Sequence, residues 1–269
     1  MENGQFVTDF SVKAKIFNSY FAQQCRPLDM NSNLPTFFRR TNSTINDVRV
    51  NLEMIISIIN KMNGKKAHGF DGISIKMLQI CPIEVSVPLT IIFKKCLETG
   101  NFPSIWKSAN VQPVHKKGSR QEKNNYRPIS LRPVCSKIFE KIIFDSVNKF
   151  LIKNNLITPN QSGFRPGDST INQLLSITTE IYKAFEHGAE IRASLLDISK
   201  ALDKVWHEGL LFKLKTNGID GKLLVLLGQL FNWKKSKRCF ELFRIQLGTN
   251  IFRRAPRFSV GSTAIPDLY

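Results

Sequence analysis

The sequence points to an α+β, helix-rich fold that closes in an irregular C-terminal tail. Several long segments repeat apolar residues every three to four positions, whereas only a few short stretches read as strands. A hydrophobic content of 42% over 269 residues is enough for a sizeable core. The third observation is charge. Thirty-nine Lys and Arg against 21 Asp and Glu leave +18, which calls for a polyanionic partner, nucleic acid first.

The elements follow in chain order. Lys13–Gln24 sets Ile16, Phe17, Tyr20 and Phe21 on one helical face, and a polar, Pro-containing stretch from Arg26 to Thr44 ties this helix to the body. From Asn46 a helix carries Leu52, Ile55, Ile56 and Ile59 and ends near Asn63-Gly64; Val85–Thr99 gives another, stopped by Gly100. Between them lies Lys65–Ile73, a Gly-rich basic loop. Asn110–His115 alternates as a strand does and runs into Lys116-Lys117-Gly118, and Asn125–Leu131 reads as its partner. Two basic strand ends joined by a polar loop suit phosphate binding.

Ser136–Lys153 and Thr170–Glu186 carry apolar residues at helical spacing and are expected as amphipathic core helices. The loop between them, Gln161–Gly167, is dense in special residues. The apolar run Ala193–Leu196 then delivers Asp197 to the carboxyl end of an expected buried strand, and a buried carboxylate is either paired or holds a metal. Taken alone, the same segment also fits Asp197 as the N-cap of a Ser199–Lys215 helix.

Other function classes are disfavoured. The basic residues are spread over loops and do not line one helix, unlike a membrane-surface helix. No run approaches the roughly 18 apolar residues of a spanning helix, and Met1-Glu2-Asn3-Gly4 does not open a signal peptide, so the expectation is no membrane and an intracellular site, nucleus or cytoplasm. Five widely spaced Cys without a CxxC pair and four His without ligand spacing indicate neither a disulfide framework nor a zinc site. Nothing calls for a small-molecule cofactor, and no linker separates two independent domains.

Taken together and in this order, these blocks resemble the reverse transcriptase domain of non-LTR (LINE-type, jockey-like) retrotransposons, from about Phe10 to about Gly228. The resemblance rests on Lys66–Ile73, Glu98–Pro103 with Trp106-Lys107, Asn125–Leu131, Ser136–Lys141, Gln161–Gly167 and Asp197–Trp206. It implies the fingers and partial palm of a right-hand polymerase over residues 65–229, an N-terminal helical extension over 1–64, and a tail over 230–269. It also implies an RNA-directed DNA polymerase whose partners are an RNA template, a DNA primer and deoxynucleoside triphosphates.

In that family the Asp matching Asp197 is one of three palm carboxylates that bind two Mg²⁺ ions, with the carbonyl of the next residue, here Ile198, as a further ligand. Lys116 or Lys117 and Arg127 match fingers residues that contact the incoming triphosphate, where a guanidinium grips phosphate in two-pronged fashion. Gly163, Phe164 and Arg165 match the loop near the template strand, and Lys65 and Lys66 belong to a basic loop suited to the nucleic-acid backbone. One departure concerns the sugar. Family members have Phe five residues after the metal Asp; Leu202 stands there and leaves selection against ribonucleotides without that flat ring.

A second departure concerns completeness. The family continues with a Gly-Val-Pro-Gln-Gly-Ser loop and an Ala-Asp-Asp turn that carries the other two carboxylates, and neither occurs in Leu230–Tyr269. Back-translated with permitted codons and re-read one base out of phase, Arg253–Tyr269 can spell SGVPQGSVLGPLLYLIY. A change of reading frame near Gly228–Asn232 is therefore expected, and with it a polymerase fragment inactive by itself. Two alternatives stay open at this point: a non-catalytic nucleic-acid-binding remnant that retains the basic contacts, or a non-functional pseudogene product.

Overall fold

The computed structural model describes residues 7–24, 34, 36, 38–198 and 201–232, without the side chains of residues 202, 203 and 232. The elements are α1 (Phe10–Gln24), α2 (Leu52–Lys61), α3 (Ile75–Ile80), α4 (Pro82–Thr99), β1 (Asn110–His115), β2 (Tyr126–Leu131), α5 (Val134–Lys153), α6 (Thr170–Glu186), α7 (His207–Thr216) and α8 (Gly221–Asn232). The expected α+β, helix-rich class is what the chain adopts. The tail from 233 onward, with the re-read Arg253–Tyr269 segment, lies outside the described residues.

Helices build the core. Asn51 caps α2, its side chain accepting the Met54 amide at 2.9 Å, and Ile55 and Ile59, one turn apart, are then fully buried. They join Leu89 and Phe93 of α4, Ile138 and Ile142 of α5, and Leu223 and Leu226 of α8 in one cluster. At its centre the rings of Phe93 and Phe139 stack with centroids 4.7 Å apart. Trp106, in a 3-10 turn at Ser104–Lys107, stands edge-on to Phe93 at 5.7 Å and to Phe102 at 5.9 Å. The Phe102 amide donates to the Gln229 side-chain oxygen at 3.0 Å, and Lys107 Nζ donates to the same oxygen at 3.3 Å. That single carboxamide fastens α8 to the aromatic centre.

The chain before α2 departs from expectation. The helix read from Asn46 begins only at Leu52, because Ile45 forms a parallel bridge with Ile219 and its amide donates to the Gly218 carbonyl at 2.8 Å. The Asn46 carbonyl accepts the Leu223 amide at 3.3 Å, so this backbone is engaged by the α7–α8 junction and is not free to coil. Val48 and Val50 alternate inward as extended chain does. Gly218 is essential to the joint: its φ is +87° and a Cβ there would lie 2.3 Å from the Ser43 carbonyl oxygen.

β1 and β2 pair antiparallel with Val114 opposite Arg127 and His115 opposite Tyr126, as the alternation indicated. α1 is fixed against them by Phe17, whose ring meets Tyr126 edge-on at 4.8 Å.

Three further readings need correction. α6 forms where its periodicity placed it, capped by Ser169, but it is not a core helix: none of its residues is buried, and Leu174, Leu175, Tyr182 and Phe185 are exposed. Periodicity fixes a helix and its apolar face, whereas burial needs a surface opposite, and none of the described residues covers this one. The strand expected to end at Asp197 is irregular chain over 189–198, with Leu195 98% and Leu196 95% exposed. A strand requires a ladder neighbour, and the sheet among the described residues has two members already paired with each other. The helix expected over Ser199–Lys215 is instead a 3-10 turn at Ala201–Lys204 followed by α7, because Trp206 takes an extended backbone at the α7 N-cap. The short α3 and the apolar α8 were not anticipated.

Replacing Gly218 with Ala is expected to destabilise the chain by at least about 2 kcal/mol, since it combines a left-handed backbone cost with a collision against the chain at Ser43. Urea unfolding followed by circular dichroism measures it. Phe139→Ala, which empties the centre of the aromatic cluster, is expected to cost about 3–5 kcal/mol in the same experiment.

Candidate nucleic-acid interface

The β-hairpin presents its cations at the loop end. The Lys116 amide donates to the Asn125 carbonyl at 2.7 Å and extends the ladder by one step. The connecting loop is held by Asn125 Nδ2 to the Ser119 carbonyl at 2.8 Å and by the Tyr126 hydroxyl to the Arg120 carbonyl at 2.8 Å. Burial pushes the Tyr126 phenol above its ordinary pKa, with the Arg120 cation opposing. Lys116, Lys117 and Arg127 are all exposed. Period-two alternation puts Lys116, at the added ladder step, on the face of Val114 and Arg127, and Lys117 follows in the bend of the connecting loop. Two cations therefore share one face of a braced hairpin.

The Lys65–Ile73 loop docks on the junction between β2 and α5. Gly69 is buried there, and a Cβ would fall 2.5 Å from the Pro133 nitrogen and 2.7 Å from the Arg132 carbonyl carbon, so no larger residue fits. Arg132 Nη1 donates to both oxygens of Glu140, at 2.6 and 2.5 Å, and the Ser136 hydroxyl donates to Glu140 Oε1 at 2.7 Å. Lys137 Nζ reaches back to the Ala67 carbonyl at 3.3 Å. Burial holds the Lys137 ammonium below the ordinary lysine pKa, the Arg132 and Lys66 cations add to this, and Glu140 and Asp71 oppose it. Lys66 is thus brought into one electrostatic group with Arg132 and Lys137. Lys65 is exposed beside it. Sequence reasoning missed Arg132, Ser136, Lys137 and Glu140 as a unit, although Ser and Glu one turn apart behind an Arg are the signature of a partnered, shielded ion pair.

The Gln161–Gly167 loop holds itself together. Arg165 Nη1 donates to the carbonyls of Thr158 at 3.4 Å and Pro159 at 3.2 Å, and the Ser162 hydroxyl donates to Gln173 at 2.5 Å. The Ser162 hydroxyl and the Ser169 amide hold the Asp168 carboxyl below the usual carboxylate range. Arg165 is half-buried as a brace of the loop, Phe164 is exposed with φ +60°, and Gly163 faces open space.

Asp197 and Ile198 lie exposed on the irregular 189–198 segment, and Leu202 lies in the 3-10 turn with its side chain outside the described residues. Among the described residues no three His, Cys, Asp or Glu side chains gather as a metal site. A two-metal centre for nucleotidyl transfer needs carboxylates that bridge both ions, and one exposed aspartate with its neighbouring carbonyl does not supply that donor set. The described residues therefore do not fit the implied Mg²⁺ pair. No described helix is long and apolar enough to cross a membrane.

The family model for "Reverse transcriptase (RNA-dependent DNA polymerase)" matches residues 114–251, a span that starts in β1 and runs past Gly228–Asn232. The chain is 35% identical to the RNA-directed DNA polymerase from mobile element jockey of Drosophila melanogaster, over 62% of this chain and 18% of that protein. It is 33% identical to the probable RNA-directed DNA polymerase from transposon BS of the same organism, over 62% of this chain and 18% of that protein. Against the probable RNA-directed DNA polymerase from transposon X-element it is 28% identical, over 79% of this chain and 24% of that protein. The chain thus spans about a fifth of the length of the curated relatives it matches. Since the family model covers just over half of the residues, the chain belongs to the reverse transcriptase (RNA-dependent DNA polymerase) family.

Proposed function

We propose that this chain is the fingers and first part of the palm of a retrotransposon RNA-directed DNA polymerase, and that by itself it grips nucleic acid without extending a primer. The observation that carries this reading is the braced hairpin with Lys116 and Arg127 exposed on one face. A braced pair of cations pays little ordering entropy when it meets a phosphate chain. In this reading residues 1–64 form a helical extension, 65–229 the polymerase portion, and 230–269 a tail read out of frame.

Arg127 and Lys116, with Lys117 next to them in the loop, take the triphosphate of the incoming nucleotide. Lys65 and Lys66 follow the backbone of the template strand, and Phe164 offers an exposed ring on which a base can stack, with Gly163 leaving room beside it and Arg165 holding the loop's shape. Asp197 and the Ile198 carbonyl are one corner of the family's Mg²⁺ site, and Leu202 borders the sugar. In-line nucleotidyl transfer needs charge neutralised on both the attacking and leaving oxygens, and one corner does not provide it.

Two measurements test the reading. Fluorescence anisotropy with a labelled RNA–DNA primer–template is expected to show an affinity that falls linearly on a log–log salt plot. Changing Lys65 and Lys66 to Ala is expected to flatten that slope by about 0.7 for each lost single-strand phosphate contact. The absence of any salt-dependent affinity would sink the binding assignment. Incubation of the same complex with deoxynucleoside triphosphates and Mg²⁺ is expected to give no lengthened primer; an extended product would refute the proposed incapacity and leave the binding assignment standing.

A further inference from the structure

The helix α4 is apolar on two opposite sides. Its inner side supplies Leu89, Phe93, Cys96 and Leu97 to the core, yet Ile83, Val87 and Ile91 on its outer side are exposed, Ile91 by 66%. The outer side also has an order along its length. Glu84, Pro88, Ile91 and Lys95 follow one another at intervals of four, three and four residues, the spacing of a seam between two packed helices. The seam is acidic at its first position, apolar in the middle and basic at its last, where Lys95 stands 3.9 Å from Glu98 of the following turn and Lys94 leaves that end net positive. Glu84 is exposed and the Lys95 side chain is 73% exposed.

Such a stripe is complementary to itself when reversed. With a two-fold axis crossing α4 at Leu89–Thr90, Glu84 of each copy comes level with Lys95 of the other. Pro88 and Ile91 then meet across the axis with Val87 and Ile83 at their flanks. A two-fold interface between identical chains requires this property, that residue i meets j while j meets i. We propose that the outer face of α4 is a homodimer interface, in which two copies of this chain pack α4 against α4 in antiparallel fashion. The charge order selects this occupant: a second copy satisfies both ends of the seam at once, whereas an anionic lipid surface would be repelled by Glu84 at one end.

Analytical ultracentrifugation of the full chain, across protein concentrations at low salt, tests the proposal. The expected result is a concentration-dependent dimer that Ile91→Glu abolishes. Glu84→Lys and Lys95→Glu should each weaken association by about tenfold, since each places two like-charged contacts across the axis, and the double variant should restore it to near the original value. Circular dichroism of each variant confirms that the helices are retained. A monomer at every concentration overturns the proposal. A dimer indifferent to the charge reversals also overturns it and assigns association to another apolar surface, that of α6 foremost. Equal weakening by the single and double variants overturns the antiparallel pairing. Co-sedimentation of a monomeric chain with phosphatidylserine vesicles would assign the face to a lipid surface instead.

Discussion

Contact among Phe93, Phe102, Trp106 and Phe139 is the constraint on which the rest of the molecule depends. These rings come from α4, the segment after it, its 3-10 turn and α5, and each stacked or edge-on pair adds about 0.5–1.5 kcal/mol beyond the area it buries. With Ile138 and Ile142 they set the orientation of α5 against α4, and with it the direction of β2, which runs into α5 through Arg132-Pro133. The hairpin's cations are thus aimed by an apolar contact that has no chemistry of its own. Two of the blocks by which the chain resembles its family, Glu98–Lys107 and Ser136–Lys141, are largely architecture: they supply Phe102, Trp106 and Phe139 to this cluster.

Charge is used in two ways. Around Arg132 and Glu140 it is part-buried and paired, and Lys137 sits close enough to be burdened by its neighbours. Along the hairpin it is open to solvent. A part-buried pair resists rearrangement, because removal of either member leaves the other charge stranded. An open cation remains available to a polyanion. The first arrangement seats the Lys65–Ile73 loop on the α5 start and so gives the second a firm base.

What could be read from the sequence follows from what periodicity encodes. The β-hairpin, α4, α5 and the existence of α6 were visible because local spacing alone decides them, as it does for Val114 alternating toward Arg127. Burial of α6 was not, since an apolar stripe along Leu174, Leu175 and Phe185 says which side wants cover and not whether cover is present. The Asp197 strand failed for the same reason: strand formation is a pairwise property, and the run Ala193–Leu196 holds only one side of the pair. The start of α2 was misplaced because Asn46–Val50 is extended through hydrogen bonds to residues beyond 217. Among the candidate site residues, exposed Lys116, Lys117 and Arg127 were readable from the strand ends, whereas the Arg132–Glu140–Ser136 unit depended on a helix turn that only the fold makes explicit.

The extended segment before α2 has a consequence for how the molecule is made. Arg40 donates to the Leu156 carbonyl, Thr41 to the Asn154 side chain, and Ile45 pairs with Ile219, so each partner is separated from it by more than a hundred residues of chain. During synthesis this segment leaves the ribosome before its partners and cannot lock until α5 and then the α7–α8 junction have followed. Val48 and Val50 must wait uncovered through that interval. The segment from Arg40 to Val50 is therefore among the last parts of the described fold to find its place, because its closure needs everything up to Leu223.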